Sequence, residues 1–126
     1  MKVLGLVWMG TRTDRFAETT AFFEKTMGLT LGLSYDGFRE YTLPNADVIE
    51  VFAADSPHNT HVTRGPAVGF LVADIAKAEA ELAEAGTELL GEVQHQGGYS
   101  WLYFRGPDGN VYEVVEDRRR IGAAGM

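Results

Sequence analysis

With 126 residues, 45% of them hydrophobic and 11% aromatic, the sequence is long enough for one globular domain with its own core. A net charge of −7 disfavours nucleic acid and anionic membranes as partners, and the absence of cysteine excludes disulfides and thiolate metal ligands. No apolar run approaches the ~20 residues that span a bilayer, and the first residues lack a signal-peptide cleavage pattern, so a cytoplasmic protein is expected.

The first half of the chain predicts a strand, a helix and three further strands. The strands are predicted at 3–9, 29–35, 38–43 and 47–53, with turns at Asp36-Gly37 and Pro44-Asn45. The helix is predicted to begin after Asp14 as N-cap and to end at Gly28. Its apolar stripe consists of Phe16, Thr20, Phe23 and Met27.

The second half repeats this order of elements. Strands are predicted at 67–73, 87–93, 99–105 and 110–116, and a helix between the N-cap Asp74 and Gly86. The stripe of this helix consists of Ile75, Ala78, Leu82 and Ala85. Its cap, its terminal glycine and the glutamate of the last strand, Glu113, all recur about 60 residues after their counterparts in the first half. This repetition predicts two βαβββ modules, about 2–53 and 67–116, with a connector at 54–66 and a frayed tail at 117–126.

Glu50 and Glu113 hold equivalent places on the last strand of each module. Each shares its strand face with apolar neighbours, Glu50 with Val48 and Phe52. If the modules pack with pseudo-twofold symmetry, both carboxylates enter one sheet-lined cleft, where burial and mutual repulsion would raise the pKa of at least one of them. Such a pair can bind a divalent metal, act as acid and base, or hold a cationic ligand. The alternative is two solvated residues on a half-exposed sheet.

Three stretches resemble the vicinal oxygen chelate superfamily: "FFEKTMGL", "FLVADIAKAEAELAEAG" and "FRGPDGNVYEVVE". The similarity covers about residues 3–116. The superfamily includes glyoxalase I, extradiol dioxygenases, methylmalonyl-CoA epimerase, and fosfomycin and bleomycin resistance proteins. The resemblance implies an α+β fold in which two tandem βαβββ modules form a curved, incomplete mixed β-barrel with helices outside. It also implies a homodimer.

The resemblance further implies where a metal would be bound. Metal-using members take one ligand from the first strand and one from the last strand of each module. These positions correspond here to Val7 (or Gly5), Glu50, Val68 and Glu113. Relatives generally have histidine on the first strands, whereas aliphatic side chains cannot coordinate a metal. Two carboxylates alone are a poor site for Ni, Zn or Fe. No cofactor is therefore expected, and a divalent metal on the two glutamates remains the alternative.

The chain has three histidines, and they offer few replacements for the missing first-strand metal ligands. His58 and His61 lie in the connector without a helix to place them on one face, which is typical of surface residues. His95 lies in a glycine-rich stretch where relatives carry a flexible loop near the cavity mouth. It is a candidate for a hydrogen bond or general-base contact to ligand, with an exposed loop histidine as the alternative.

Aromatic side chains complete the predicted cleft. Trp101 and Tyr103 share a strand face, and the resemblance places Tyr103 on the cavity wall of resistance proteins. Phe52 shares a face with Glu50, Phe70 is expected on the face of Val68, and Trp8 faces either the cavity or the helices. With two acids, these side chains favour a pocket for a flat or cationic molecule. The predicted ligand-binding residues are Trp101, Tyr103, Phe52, Phe70, Val68, Val7, Trp8 and His95.

Two classes of function are consistent with these features. The first is a metal-free binding protein of the bleomycin-resistance type that sequesters an aromatic or cationic drug or metabolite. The missing histidines, the negative charge and the aromatic residues favour it. The second is a glyoxalase-like lyase or an isomerase that uses Glu50 or Glu113 as metal ligand or general base, which the paired acids favour. A third, a decayed site on a protein that only scaffolds a partner, stays open.

Overall fold

The computed structural model describes residues 1–63 and 65–121. The chain divides into two compact units. The Glu50 unit is Trp8–Ala67, and the Glu113 unit joins Met1–Val7 to the described residues from Val68 onward. Both units combine strands with helix, which confirms the α+β class. No helix within the described ranges is long and apolar enough to cross a membrane.

The Glu50 unit contains four strands in the order β2-β3-β4-β1. Their bounds are β1 Val3–Thr13, which enters this unit at Trp8, β2 Thr30–Tyr35, β3 Phe38–Thr42 and β4 Val48–Ala53. β1 and β4 are parallel, and the other neighbours are antiparallel. All four strands lie where alternation and turn residues predicted them, although β1 extends four residues further than expected.

The first helix, α1, comprises Phe16–Ala21 and continues as a π-helical turn, Phe22–Thr26. The predicted N-cap, Asp14, is wrong, because Arg15 occupies the N-cap position, without a side-chain capping hydrogen bond. The hydroxyl of Thr13 accepts the Arg15 backbone N–H at 2.9 Å, so the chain turns one residue later than expected. Met27 was predicted in the apolar stripe but is half exposed beyond the π turn.

Arg12 holds the connector after β4 to the sheet. Its guanidinium donates hydrogen bonds to five backbone carbonyls, those of Ala53, Ser56, His58, Asn59 and Val62, at 2.6–3.0 Å. It also lies over the ring of Phe52, 5.3 Å from the centroid. Val62 is fully buried. The connector has no sequence periodicity, but its backbone is tied down by one side chain.

The Glu113 unit contains β5 Ala67–Val72, β6 Glu88–Leu89, β7 Gln94–Gln96, β8 Tyr99–Arg105 and β9 Val111–Asp117. β5, β9, β8 and β6 are neighbours in that order, and β7 also pairs with β8. The single strand predicted at 87–93 is therefore wrong. Gly91, with φ at 103°, turns the chain there, and β6 and β7 form on either side of it.

Helix α2, Ile75–Glu84, packs on one face of this sheet. Its N-cap is confirmed, since the carboxylate of Asp74 accepts the Lys77 backbone N–H at 3.1 Å. Ile75 and Ala78 are buried against β8 and β9, whereas Ala85 ends the helix and is exposed.

The tail begins with a helical turn, α3, Arg118–Ile121. A frayed end was predicted from residue 117, and over these residues that prediction is wrong. Arg119 bonds to the buried carboxylate of Asp117 at the end of β9. Residues 122–126 of the predicted tail lie outside the described residues.

Candidate functional site

The hairpin of β3 and β4 places Glu40 directly opposite Glu50. Residues opposite one another in an antiparallel pair point to the same face, with Cβ atoms about 5 Å apart. Two like charges at this spacing destabilise each other unless a proton or a cation lies between them. Glu40 was not among the site residues predicted from the sequence. Counting outward from the predicted two-residue turn Pro44-Asn45 would pair Glu40 with Ile49. The turn has one more residue, since the Leu43 backbone N–H bonds to the carbonyl of Asp47, and this register brings Glu40 opposite Glu50.

Trp8 is the third member of this group. Its indole Nε1 donates a hydrogen bond to Glu50 Oε1 at 3.0 Å, so its side chain lies on the face of the acids. Gly10, the β1 residue paired with Glu50, makes this possible. A Cβ atom at Gly10 would lie 2.3 Å from the indole ring, so only glycine lets the ring cross the strand at this point.

Burial raises the pKa of the Glu50 carboxyl from 4.5 to about 7. The hydrogen bond from Trp8 opposes this rise, while the charge of Glu40 and a hydrogen bond shared with it add to it. The sequence predicted a raised pKa for at least one buried glutamate, and Glu50 shows it. The like charge that contributes is Glu40, not Glu113 as the sequence suggested.

Aromatic rings continue this face of the Glu50 unit. Phe52 is fully buried, with Phe38 at 5.4 Å between centroids. Tyr35 stacks on Phe38 at 4.6 Å and remains half exposed. Burial, then the charges of Glu50 and Glu40, raise the pKa of Tyr35, so its hydroxyl lies within electrostatic reach of both acids. Phe52 forms the base of this face, and Tyr35 presents an accessible ring.

In the Glu113 unit, Glu113 is 3% exposed and pairs with Tyr103 on β8 and Gly69 on β5. Trp101 lies two residues before Tyr103 on the same face and is half buried, with Tyr99 5.8 Å away. An acid and two aromatic side chains, Trp101 and Tyr103, thus share one sheet face. Strand alternation predicted the shared face of Trp101 and Tyr103, and the register adds Glu113 to it.

Val68 and Phe70 lie on the opposite face from Glu113. β5 and β9 are parallel, and the register pairs Val68 with Tyr112. The ring of Phe70 stacks on Tyr112 at 6.0 Å. The expected alignment of β5 was therefore wrong by one residue, since Gly69 is the residue beside Glu113. A one-residue shift moves every side chain of a strand to its other face.

His95 lies in strand β7, where a flexible loop was expected. Its Nδ1 is 2.7 Å from the hydroxyl of Ser100, the β8 residue with which it pairs. Ser100 precedes Trp101 and therefore points to the other face. The structure does not bring His95 together with Trp101 and Tyr103.

The residues present do not fit the metal centre that the fold family implies. The first-strand neighbours of the two glutamates are Gly10 and Gly69, where Val7 (or Gly5) and Val68 were expected, and glycine offers no side-chain ligand. One oxygen of Glu50 already accepts a hydrogen bond from Trp8. Within residues 1–63 and 65–121, no three His, Asp or Glu side chains gather closely enough to hold an ion. That no cofactor is bound stays a prediction.

These features define an α+β protein built from two strand–helix–strand units, each with a glutamate on its last strand. The family model described as Glyoxalase/Bleomycin resistance protein/Dioxygenase superfamily matches residues 5–114, and the chain belongs to this superfamily. The resemblance to vicinal oxygen chelate proteins is thereby confirmed. That Glu50 and Glu113 share one cleft stays a prediction.

Solved structures show the same fold. Methylmalonyl-CoA epimerase from Mycobacterium tuberculosis is 21% identical with a TM-score of 0.67, covering 96% of this chain and 93% of that chain. The Mn(II)-bound glyoxalase from Novosphingobium aromaticivorans is 18% identical with a TM-score of 0.75, covering 92% of this chain and 40% of that chain. A superfamily member from Vibrio splendidus 12B01 is 16% identical with a TM-score of 0.66, covering 90% of this chain and all of that chain. No curated protein gives a significant match.

Proposed function

We propose that the chain is a metal-free small-molecule-binding protein of the glyoxalase/bleomycin-resistance type, which sequesters an aromatic or cationic drug or metabolite. The observation that carries this proposal is the pairing of Glu40 with Glu50 on one sheet face. A cation between the two carboxylates would relieve their repulsion and take the place of the proton that Glu50 holds near neutral pH.

The surroundings of the pair support a ligand that is both cationic and flat. The half-exposed ring of Tyr35 lies within electrostatic reach of the acids, and such rings attract cations through their π faces. The buried Trp8 orients Glu50 through its hydrogen bond. The net charge of −7 would also speed the approach of a cation. We propose that Trp101 and Tyr103 contact the ligand as well, through stacking.

We expect a cationic aromatic ligand to displace a proton from the protein. Benzyltrimethylammonium should bind more tightly as the pH rises from 6 to 8, by up to about tenfold per pH unit below the pKa of Glu50, because a cation lowers that pKa. Calorimetry in buffers of different ionisation enthalpy measures both the affinity and the proton release.

The controls distinguish the contribution of the ligand's charge to binding from that of its shape. Benzyl alcohol, a neutral ligand with the same ring, should bind weakly and independently of pH. Glu50→Gln should remove the pH dependence and Glu40→Gln should weaken binding, whereas the exposed Glu84→Gln should change neither. The proposal fails if the ammonium ligand binds no better than the alcohol, or if the Glu50 variant binds it with unchanged affinity.

A second function, an isomerase or glyoxalase-like lyase, is favoured by one specific observation. A carboxyl group with a pKa of about 7 is matched to proton transfer at neutral pH, and Glu50 has such a pKa. Glu113 is the alternative base. Methylmalonyl-CoA epimerases are among the structural neighbours. Exchange of the α-proton of methylmalonyl-CoA for deuterium, lost in Glu50→Gln, would support this function over sequestration.

We also propose that the protein is a homodimer. β2 forms one end of the strand order and all six of its residues are exposed, including Leu31 and Leu33, the latter at 60%. An apolar edge strand of this kind is typically covered by another chain.

Leu33→Asp should therefore convert a dimer at micromolar concentration into a monomer, measured by light scattering coupled to gel filtration. Thr30→Asp, at the end of the same strand, places the same charge on a polar position and should leave the dimer intact. A parent protein that is already monomeric at these concentrations removes the proposal.

A further inference from the structure

A cleft of about 500 Å³ lies in the Glu50 unit, at the turn between β2 and β3. Its walls include two aromatic rings, one guanidinium, two carboxylates and two serine hydroxyls, from Phe16, Tyr35, Arg39, Asp36, Asp55, Ser34 and Ser56. Neither Glu40 nor Glu50 lines it, although Tyr35, which lies within electrostatic reach of both acids, does. Its volume falls within the range of small-molecule sites, about 300–1,000 Å³.

Arg39 is held in place by its own surroundings. Its Nη1 donates to the carbonyls of Tyr35 and Phe38 at 2.8 and 2.7 Å, and its guanidinium lies 5.2 Å from the ring centroid of Phe16. No described residue accepts a hydrogen bond from its Nε or Nη2. A guanidinium fixed in this way, with N–H groups to spare, is suited to bind a carboxylate with two parallel hydrogen bonds.

The two carboxylates of the cleft are not neutralised by this arginine. Asp36 and Asp55 are exposed, and within the described part of the chain neither makes a hydrogen bond or an ion pair. Charges of both signs therefore line one cleft without pairing. A dianion would be repelled by the aspartates and a dication by Arg39, whereas a molecule with one charge of each sign would match both.

We propose that this cleft binds a small zwitterion, an α-amino acid. Its carboxylate bonds to Arg39, its ammonium lies toward Asp36 and Asp55, and its side chain packs against Phe16 and Tyr35. Ser56 adds a hydroxyl that is buried and already accepts the His58 backbone N–H at 3.3 Å, leaving its own proton to donate.

The test is a titration with L-phenylalanine followed by the backbone amide signals of Gly37, Ala53 and Ser56. We expect saturable shifts at these amides. Phenethylamine, which lacks the carboxylate, and N-acetyl-L-phenylalanine, which lacks the ammonium, should each bind at least tenfold more weakly. Arg39→Gln and Asp55→Asn should each weaken L-phenylalanine at least tenfold, and Glu84→Gln should not.

The amino-acid site at the cleft can be tested separately from the proposed cation site at Glu40 and Glu50. Glu50→Gln should lose benzyltrimethylammonium binding while it keeps L-phenylalanine binding at the cleft. If Arg39→Gln is not folded by circular dichroism, Asp55→Asn and the two ligand analogues give the answer. The absence of saturable shifts in the parent, or equal affinities for L-phenylalanine and phenethylamine, overturns the amino-acid site.

Discussion

Glu50→Gln should raise the free energy of unfolding at pH 8 by about 3 kcal/mol and leave it nearly unchanged at pH 4. The pKa of Glu50 is 4.5 in an unfolded chain and about 7 in the folded one. The stability that this proton supplies is fully present below about pH 4.5 and is lost as the pH rises through 7. Glutamine remains neutral throughout and still offers an oxygen to the indole of Trp8. Urea unfolding at pH 4, 6 and 8 measures the effect.

The exposed Glu84, on helix α2, provides the matched control for this experiment. Glu84→Gln should shift stability by less than about 0.5 kcal/mol at every pH. If Glu50→Gln behaves like this control, Glu50 is solvated and the proposed site loses its basis. If Glu50→Gln is more stable than the parent but no longer binds a cation, the paired carboxylates contribute to ligand binding and lower the stability of the folded protein.

Arg12→Met should destabilise the protein by at least about 3 kcal/mol, since hydrogen bonds to a charged group contribute about 1.5–3 kcal/mol each and buried carbonyls would lose their donor. The five carbonyls that Arg12 holds include that of the fully buried Val62. The connector should also become a site of limited proteolysis. Urea unfolding and the rate of cleavage within residues 54–63 measure the two effects.

Arg15→Met is the control for charge removal nearby. Arg15 pairs with Glu18 on an exposed helix surface, and such pairs contribute about 0–1 kcal/mol. Arg12→Lys keeps the charge but cannot reach five carbonyls, so it should fall between the parent and Arg12→Met. A change below 1 kcal/mol in Arg12→Met would mean that the connector is held by other contacts.

The order of elements could be predicted because each signal is local. Alternating apolar residues gave the strands, and Asp74 caps α2 as its sequence position indicated. The errors arose where the local backbone geometry departs from the apolar pattern. The split of the strand predicted at 87–93 depends on Gly91, and the start of α1 depends on the hydroxyl of Thr13.

Of the candidate site, the sequence predicted only which residues of one strand share a face, because that follows from strand alternation. Alternation placed Trp101 and Tyr103 on one face of their strand, and Phe52 on the same face as Glu50. It could not give the register between strands, which decides that Glu40 pairs with Glu50. Nor could it show which carbonyls a long side chain such as that of Arg12 would reach.

The π turn that closes the first helix limits how the length of this segment can vary. The Met27 backbone N–H bonds to the carbonyl of Phe22, five residues back, and Glu24 within this turn accepts the hydroxyl of the buried Tyr41 at 2.8 Å. Each residue of an α-helix turns the chain by about 100°. Deleting Phe22 would restore a regular helix but rotate Glu24 away from Tyr41, leaving its buried hydroxyl only the longer contact of 3.5 Å to the carbonyl of Thr20. A single-residue deletion should thus be rejected in this segment.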